Sequence, residues 1–288
     1  GITGQHGHGA AHDTVGPMRH PFFEIPTPIV IGHRGAAGER PENTSSSFAH
    51  ALAQGAAVLE TDAHVTRDGH VVLCHDPDVA RTTQGRGDVA DLDLKALQEL
   101  DAGYRHRPAG VAHPPFRGQG LRIPTLHEAF ETFPTARFNI ELKRCDERLV
   151  NGVLDAVAHF DRAERTLLAA GDDATMALLR HHLRGRTLPV AQGACTGDVL
   201  AFVRAAGGEG QLPREPMALQ IPEAFAGRPL VTPQLVAFAH AQGVQVHVWT
   251  VNEIETMDRL LELGVDGLVT DWPGRLRRLI ETRQRGGS

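Results

Sequence analysis

Cysteine is scarce. Cys74, Cys145 and Cys195 are the whole complement of a 288-residue chain. Widely spaced and odd in number, they form no disulfide framework and point to a reducing compartment, the cytoplasm. A run of eighteen apolar residues is missing too, so no membrane span is expected. Positive charge is not in excess: 29 Lys and Arg stand against 35 Asp and Glu, a formal net charge of −6. A nucleic-acid partner would want a net basic face, so that class is set aside. The glycines at 32, 35 and 38 are not followed by the Lys-Ser or Lys-Thr of a P-loop. They read instead as permissive backbone beside a ligand.

What is present is an ordinary globular composition, 41% apolar and 22% charged, of a length that suits one large α/β domain or two small ones. Residues 1–17, rich in Gly and His, have no apolar periodicity. They read as an unfolded tail, although a His-rich tract can bind metal. Met18 reads as a native start, and residues 1–27 as a poorly ordered extension before a catalytic barrel over 28–288. From Pro28 onward, short β-branched segments alternate with helical patterns. Strands are expected at 28–33, 57–62, 71–75, 138–143, 166–170, 187–192, 217–221, 244–250 and 265–270. Helices are expected at 44–54, 93–100, 125–133, 147–160, 173–183, 197–206, 232–242, 253–263 and 274–281. This alternation predicts an α/β fold, a TIM (β/α)8 barrel. Nine strands compete for eight places. The turn Thr66-Arg67-Asp68-Gly69 leaves no room for a crossover helix, so 57–65 and 71–75 read as a hairpin with His75 roughly opposite Glu60. The stretch 78–123 breaks the alternation and reads as a small insertion after the third strand, on the face where catalytic loops sit.

Residues two apart on a strand share a face, as do Glu60 with Asp62 and Glu141 with Lys143. All four fall near the C-terminal ends of strands, where a barrel builds its site. Either glutamate alone reads as an ion pair with Lys143 or an arginine. Three carboxylates together, with no Cys or His at matching spacing, suit one hard divalent cation, Mg²⁺ or Ca²⁺. His33 and His75 each end a strand, and two imidazoles beside one ion could serve as acid and base. In a chain with 17 histidines a single one carries little weight, and His64 and His247 are read as structural. Arg34 and Lys143 would neutralise a phosphate. Trp249 is either an apolar wall for an alcohol or barrel packing. Asp266 and Asp271, bordering the last strand, either hold loops or contact ligand, and the structural use is preferred.

The run HRGAAGERPENTSSSFAHALAQGAAVLETDAHVTRDGHVVLCHD, residues 33–76, resembles the signature of the glycerophosphodiester phosphodiesterase family. The resemblance continues through RTTQGRG (81–87), RIPTLHEAF (122–130), NIELK (139–143), VHVWTVN (246–252) and GVDGLVTDWP (264–273), covering about residues 28–281. It implies a TIM-barrel, metal-dependent enzyme that cleaves glycerophosphodiesters to sn-glycerol 3-phosphate and an alcohol. By motif, His33 and His75 resemble the catalytic pair, Glu60, Asp62 and Glu141 the metal ligands, and Arg34 and Lys143 the phosphate contacts. Glu42, in PENT, is brought near the site without an assigned role. The family's fifth strand commonly ends in Ser-Phe, whereas this chain reads Ala169-Ala170-Gly171-Asp172, which alters the expected shape of the substrate pocket.

The mechanism this implies has one histidine deprotonating either water or the glycerol 2-hydroxyl, while the other protonates the departing alcohol. A lysophospholipase D-type enzyme acting on lipid diesters is the nearest alternative. The insertion, mostly Gly, Pro, His and Arg around Val111, Phe116 and Leu121, leans instead towards a soluble small molecule. A non-catalytic barrel that binds phosphate esters would have no need of an acid–base pair.

Overall fold

The β-branched runs form the strands and the amphipathic runs the helices in a computed structural model that describes residues 20–108 and 110–286. The tail 1–17 and Met18 lie outside the described residues. The strands are β1 (Ile29–Gly32), β2 (Val58–Val65), β3 (Val71–Leu73), β4 (Arg137–Leu142), β5 (Thr166–Ala169) and β6 (Ala191–Gln192). They continue with β7 (Ala218–Pro222), β8 (Ala224–Phe225), β9 (Arg228–Pro229), β10 (Gln245–Trp249) and β11 (Gly267–Thr270). The helices are α1 (Ser45–Ala53), α2 (Leu94–Gln98), α3 (Leu126–Thr132), α4 (Glu147–His159) and α5 (Asp173–Arg184). After them come α6 (Thr196–Ala206), α7 (Pro233–Ala241), α8 (Ile254–Glu262) and α9 (Pro273–Gly286).

Eight strands run parallel in the order β6-β5-β4-β2-β1-β11-β10-β7. A single parallel bridge between Gly193 and Ala218 joins the two ends, giving the expected (β/α)8 barrel. The surplus strand is β3, which pairs antiparallel with β2, makes one further bridge from Val72 to Thr125, and so forms an arm outside the barrel. Its register pairs Ala63 with Leu73 and His64 with Val72. Extended, that ladder sets His75 beside Thr61, one residue from the Glu60 expected. The turn is drawn tight by Thr66, whose hydroxyl donates to Asp68 Oδ1 (2.6 Å) and accepts from His70 N (2.9 Å).

Outward strand residues and the helices share one core, which includes Phe48, Leu59, Phe138, Leu142, Leu168 and Val248. A second cluster fills the barrel's N-terminal end with Ile29, Ile31, Val58, Leu167 and Val269. Phe22 completes it, which corrects the expected boundary of the extension. Residues 20–27 include a 3-10 turn, Pro21–Phe23, whose central phenylalanine is fully buried. Burying that ring favours the docked state by about 1.5–3 kcal/mol. The His20 Nε2–H donates to Pro189 O (2.9 Å) and the Arg137 Nε–H to Phe22 O (3.1 Å), fastening the plug. The insertion packs around its own cluster of Val79, Val89, Leu97, Ala102 and Ile123 against Val72 of the arm. Among the described residues no helix is long and apolar enough to cross a membrane.

Candidate active site

The β2–β4 ladder sets Asp62 beside Glu141 and Glu60 beside Asn139. Because alternate residues share a face, the carboxylates at 60, 62 and 141 all turn inward at the strands' C-terminal ends. One oxygen from each lies within 4.8 Å of the other two. Lys143 Nζ reaches Asp62 Oδ1 (3.2 Å) and Glu141 Oε2 (3.1 Å), and Arg34 Nε lies 3.2 Å from Asp62 Oδ2. Two fixed cations therefore face three carboxylates. The deficit shows at Glu60, whose carboxyl is pushed well above its usual range by burial and by the Asp62 charge, against His33 and Arg34.

Both histidines are oriented by carboxylates. An ionised carboxylate only accepts, so the proton sits on Nδ1 of each ring and Nε2 is left to meet a ligand. His33 follows β1, and its Nδ1–H donates to Asp271 Oδ1 (2.6 Å). Asp271 Oδ2 accepts from Asn252 Nδ2 (2.6 Å), while Asn252 Oδ1 accepts from Asp271 N (3.0 Å). Burial pulls the His33 imidazole down, but the Asp271 hydrogen bond and the Glu60 charge outweigh it and hold it above its ordinary value. His75 Nδ1–H donates to Asp76 Oδ1 (2.7 Å). His64, for which the sequence offers no partner, donates through Nε2 to the backbone carbonyl of His75 (3.1 Å) and so supports the same loop.

The turn after β1 delivers Arg34. Gly35 has φ +87°, and a Cβ there would stand 2.4 Å from Ser47 Oγ on α1. Arg34 itself is left-handed at φ 49°, which aims its backbone N–H at Glu60 Oε2 (2.8 Å). Its Nη1 donates to Glu42 Oε1 (2.9 Å). Thr44 caps α1, accepting from Ser47 N. Asn43 is drawn into the site, where its Nδ2 donates to Asp62 Oδ2 (3.0 Å).

The site opens onto a cavity of about 490 Å³. His33, Arg34, Glu60, Asp62, His75, Glu141, Lys143 and Trp249 all border it, so the eight residues given a site role by the sequence reach one space, while Glu42 stands behind Arg34. The Ala169-Ala170-Gly171 stretch, which begins at the register partner of Glu141, joins Ala194 and Thr196 in lining the cavity with small side chains. Trp249 stands on the rim, 46% exposed, as wall and not as packing. Asp271 meets the site through its hydrogen bond to His33. Asp266 stays structural, accepting from Val246 N and His240 Nε2. His247 is enclosed in the barrel, donating to Gln245 Oε1 (2.9 Å).

The donor set fits a hard divalent cation: three carboxylates, two of them buried, with negative charge left over after Arg34 and Lys143 are counted. Glu60, Asp62 and Glu141 are the residues that could hold it.

The glycerophosphoryl diester phosphodiesterase family matches this chain over residues 33–275. A glycerophosphodiester phosphodiesterase of Caldanaerobacter subterraneus subsp. tengcongensis is 32% identical over 271 residues, covering 90% of this chain and 99% of its own length. A human lysophospholipase D is 28% identical over 272 residues, covering 86% of this chain and 84% of its own. Among solved structures, an Oleispira antarctica phosphodiesterase in complex with the product sn-glycerol-3-phosphate superposes with a TM-score of 0.72 at 26% identity. It covers 88% of this chain and 97% of that one.

Proposed function

Because this chain belongs to the glycerophosphoryl diester phosphodiesterase family, we propose that His33 and His75 carry its hydrolysis of glycerophosphodiesters, beside a divalent cation held by Glu60, Asp62 and Glu141. The substrate is a small glycerophosphodiester, and the products are sn-glycerol 3-phosphate and an alcohol. Bound there, Mg²⁺ or Ca²⁺ would supply positive charge to a phosphoryl oxygen. Arg34 and Lys143 bind the non-bridging oxygens. One Nε2 accepts the nucleophile's proton, and the other, protonated, gives a proton to the leaving alcohol. Asp271 and Asp76 hold the two rings in the tautomer that makes this exchange available. Trp249 bounds the organic part of the substrate.

The observation that carries this reading is the convergence of three carboxylate oxygens, within 4.8 Å of one another, in the cavity that both imidazoles line. A binding barrel would have no use for two carboxylate-oriented imidazoles. Release of sn-glycerol 3-phosphate from glycerophosphocholine tests it, with and without EDTA. Turnover should disappear with the chelator, and His33→Ala and His75→Ala should each lose about 10²–10⁴-fold. Glu60→Gln should raise the metal concentration needed for half-maximal rate. Near-wild-type turnover in both histidine variants, or indifference to EDTA, would refute the reading.

A further inference from the structure

Arg81 lies in the insertion, outside the groups so far given a role, and it touches both halves of the site. Its Nη1 and Nη2 donate to the Glu42 carboxylate (2.8 and 2.7 Å), and its Nε donates to Asp76 Oδ2. Glu42 also accepts from Arg34, and Asp76 accepts from His75. One unbroken chain of charge-assisted contacts thus runs His75–Asp76–Arg81–Glu42–Arg34–Asp62. The guanidinium sits on a fixed base. Arg81 ends the 3-10 turn Val79–Arg81, whose Val79 is buried in the insertion's core and whose first turn is capped by Asp78 Oδ1, accepting from Ala80 N (2.7 Å).

We propose that Arg81 is a positioning residue for the phosphodiesterase reaction, holding the His75 imidazole through Asp76 and the Arg34 guanidinium through Glu42. The inference rests on the reading that His75 and Arg34 act on the substrate. Without Arg81, Asp76 loses the donor opposite His75, and Glu42 keeps Arg34 as its only guanidinium partner. Both carboxylates are then free to turn, and the ring and the fork they hold turn with them. The planar fork matters as well as the charge: a guanidinium can serve two carboxylates at once, whereas an ammonium offers a single point. The arrangement also explains Glu42. Burial would raise its carboxyl, but hydrogen bonds and charge from Arg81 and Arg34 hold it down at about 2, so it stays ionised and able to clamp.

The test is steady-state hydrolysis of glycerophosphocholine in saturating Mg²⁺ by wild type, Arg81→Ala and Arg81→Lys, with guanidinium chloride added in a second series. Arg81→Ala should lose about 10–100-fold in kcat and show a raised KM, the first through His75 and the second through Arg34. Arg81 is 47% exposed, so free guanidinium can enter its place. It should restore several-fold of the lost turnover in Arg81→Ala while leaving wild type and Arg81→Lys unimproved. A purely structural loss would not recover in a denaturant. Wild-type kinetics in Arg81→Ala, full activity in Arg81→Lys, or no recovery with guanidinium would each overturn the role. His75→Ala, assayed alongside, separates the two levels. An active His75→Ala refutes the histidine reading and this inference with it, whereas an inactive His75→Ala beside an unimpaired Arg81→Ala refutes the inference alone.

Discussion

Behind the His33 imidazole stands Asp271, anchored by the neutral amide of Asn252, whereas the carboxylate behind His75 is anchored by the charge of Arg81. The proton affinity of His33 is raised by its hydrogen bond to that carboxylate, against burial. Replacing Asp271 by Asn leaves burial as the largest remaining influence, and burial favours the neutral ring. In metal-free protein the His33 titration midpoint, followed by NMR of the imidazole, should lie above 6.5 in wild type and move down in Asp271→Asn. Turnover should fall about 10–100-fold as the tautomer is released, and an unmoved midpoint would contradict the coupling. Asp271 illustrates what the sequence conceals. It is 238 positions from His33, and nothing in TDWP separates an orienting carboxylate from a loop anchor. Glu60, Asp62, Glu141 and Lys143 were legible because a two-residue spacing on a strand is itself a geometric statement.

At the scale of elements, the turn from β1 into α1 is the most constrained piece of the site. It carries His33 and Arg34 on a backbone that must close over Ser47. Gly35→Ala forces a left-handed residue and a methyl into the α1 backbone. It should destabilise the fold by about 1–3 kcal/mol in urea denaturation and lower turnover as Arg34 N leaves Glu60. Equal stability and activity would show that the turn yields without cost. Helix and strand periods were readable throughout this region, and the Asp68-Gly69 signal separated the hairpin arm from the barrel. The plug at 20–23 was not readable. Two phenylalanines after a proline carry no period, and only the open end of a barrel gives Phe22 something to fill.

At the scale of the molecule, the barrel encloses a histidine it must keep neutral. Burial drives His247 down to about 4, with Asp266 opposing. The unfolded chain binds that proton near 6.5, so the contribution to stability is complete above that pH and is lost as pH falls towards 4. The loss amounts to roughly 2 kcal/mol by pH 5. Urea denaturation at pH 7.5 and pH 5 should show it in wild type, and the pH 5 deficit should shrink in His247→Gln. An identical deficit in both would move the effect elsewhere.

The barrel is also not equally fastened all the way round. Between β2 and β4 six residue pairs are in register. Between β6 and β7 the join is one bridge, held by Ala194 N on Ala218 O and Met217 N on Gln192 O (2.9 Å each). Ala194 and Gln220, one on either side of that thin seam, both line the cavity. Opening of the cylinder should therefore begin at this seam, where one bridge and two hydrogen bonds must break, before it reaches the six-pair ladder that carries the carboxylates.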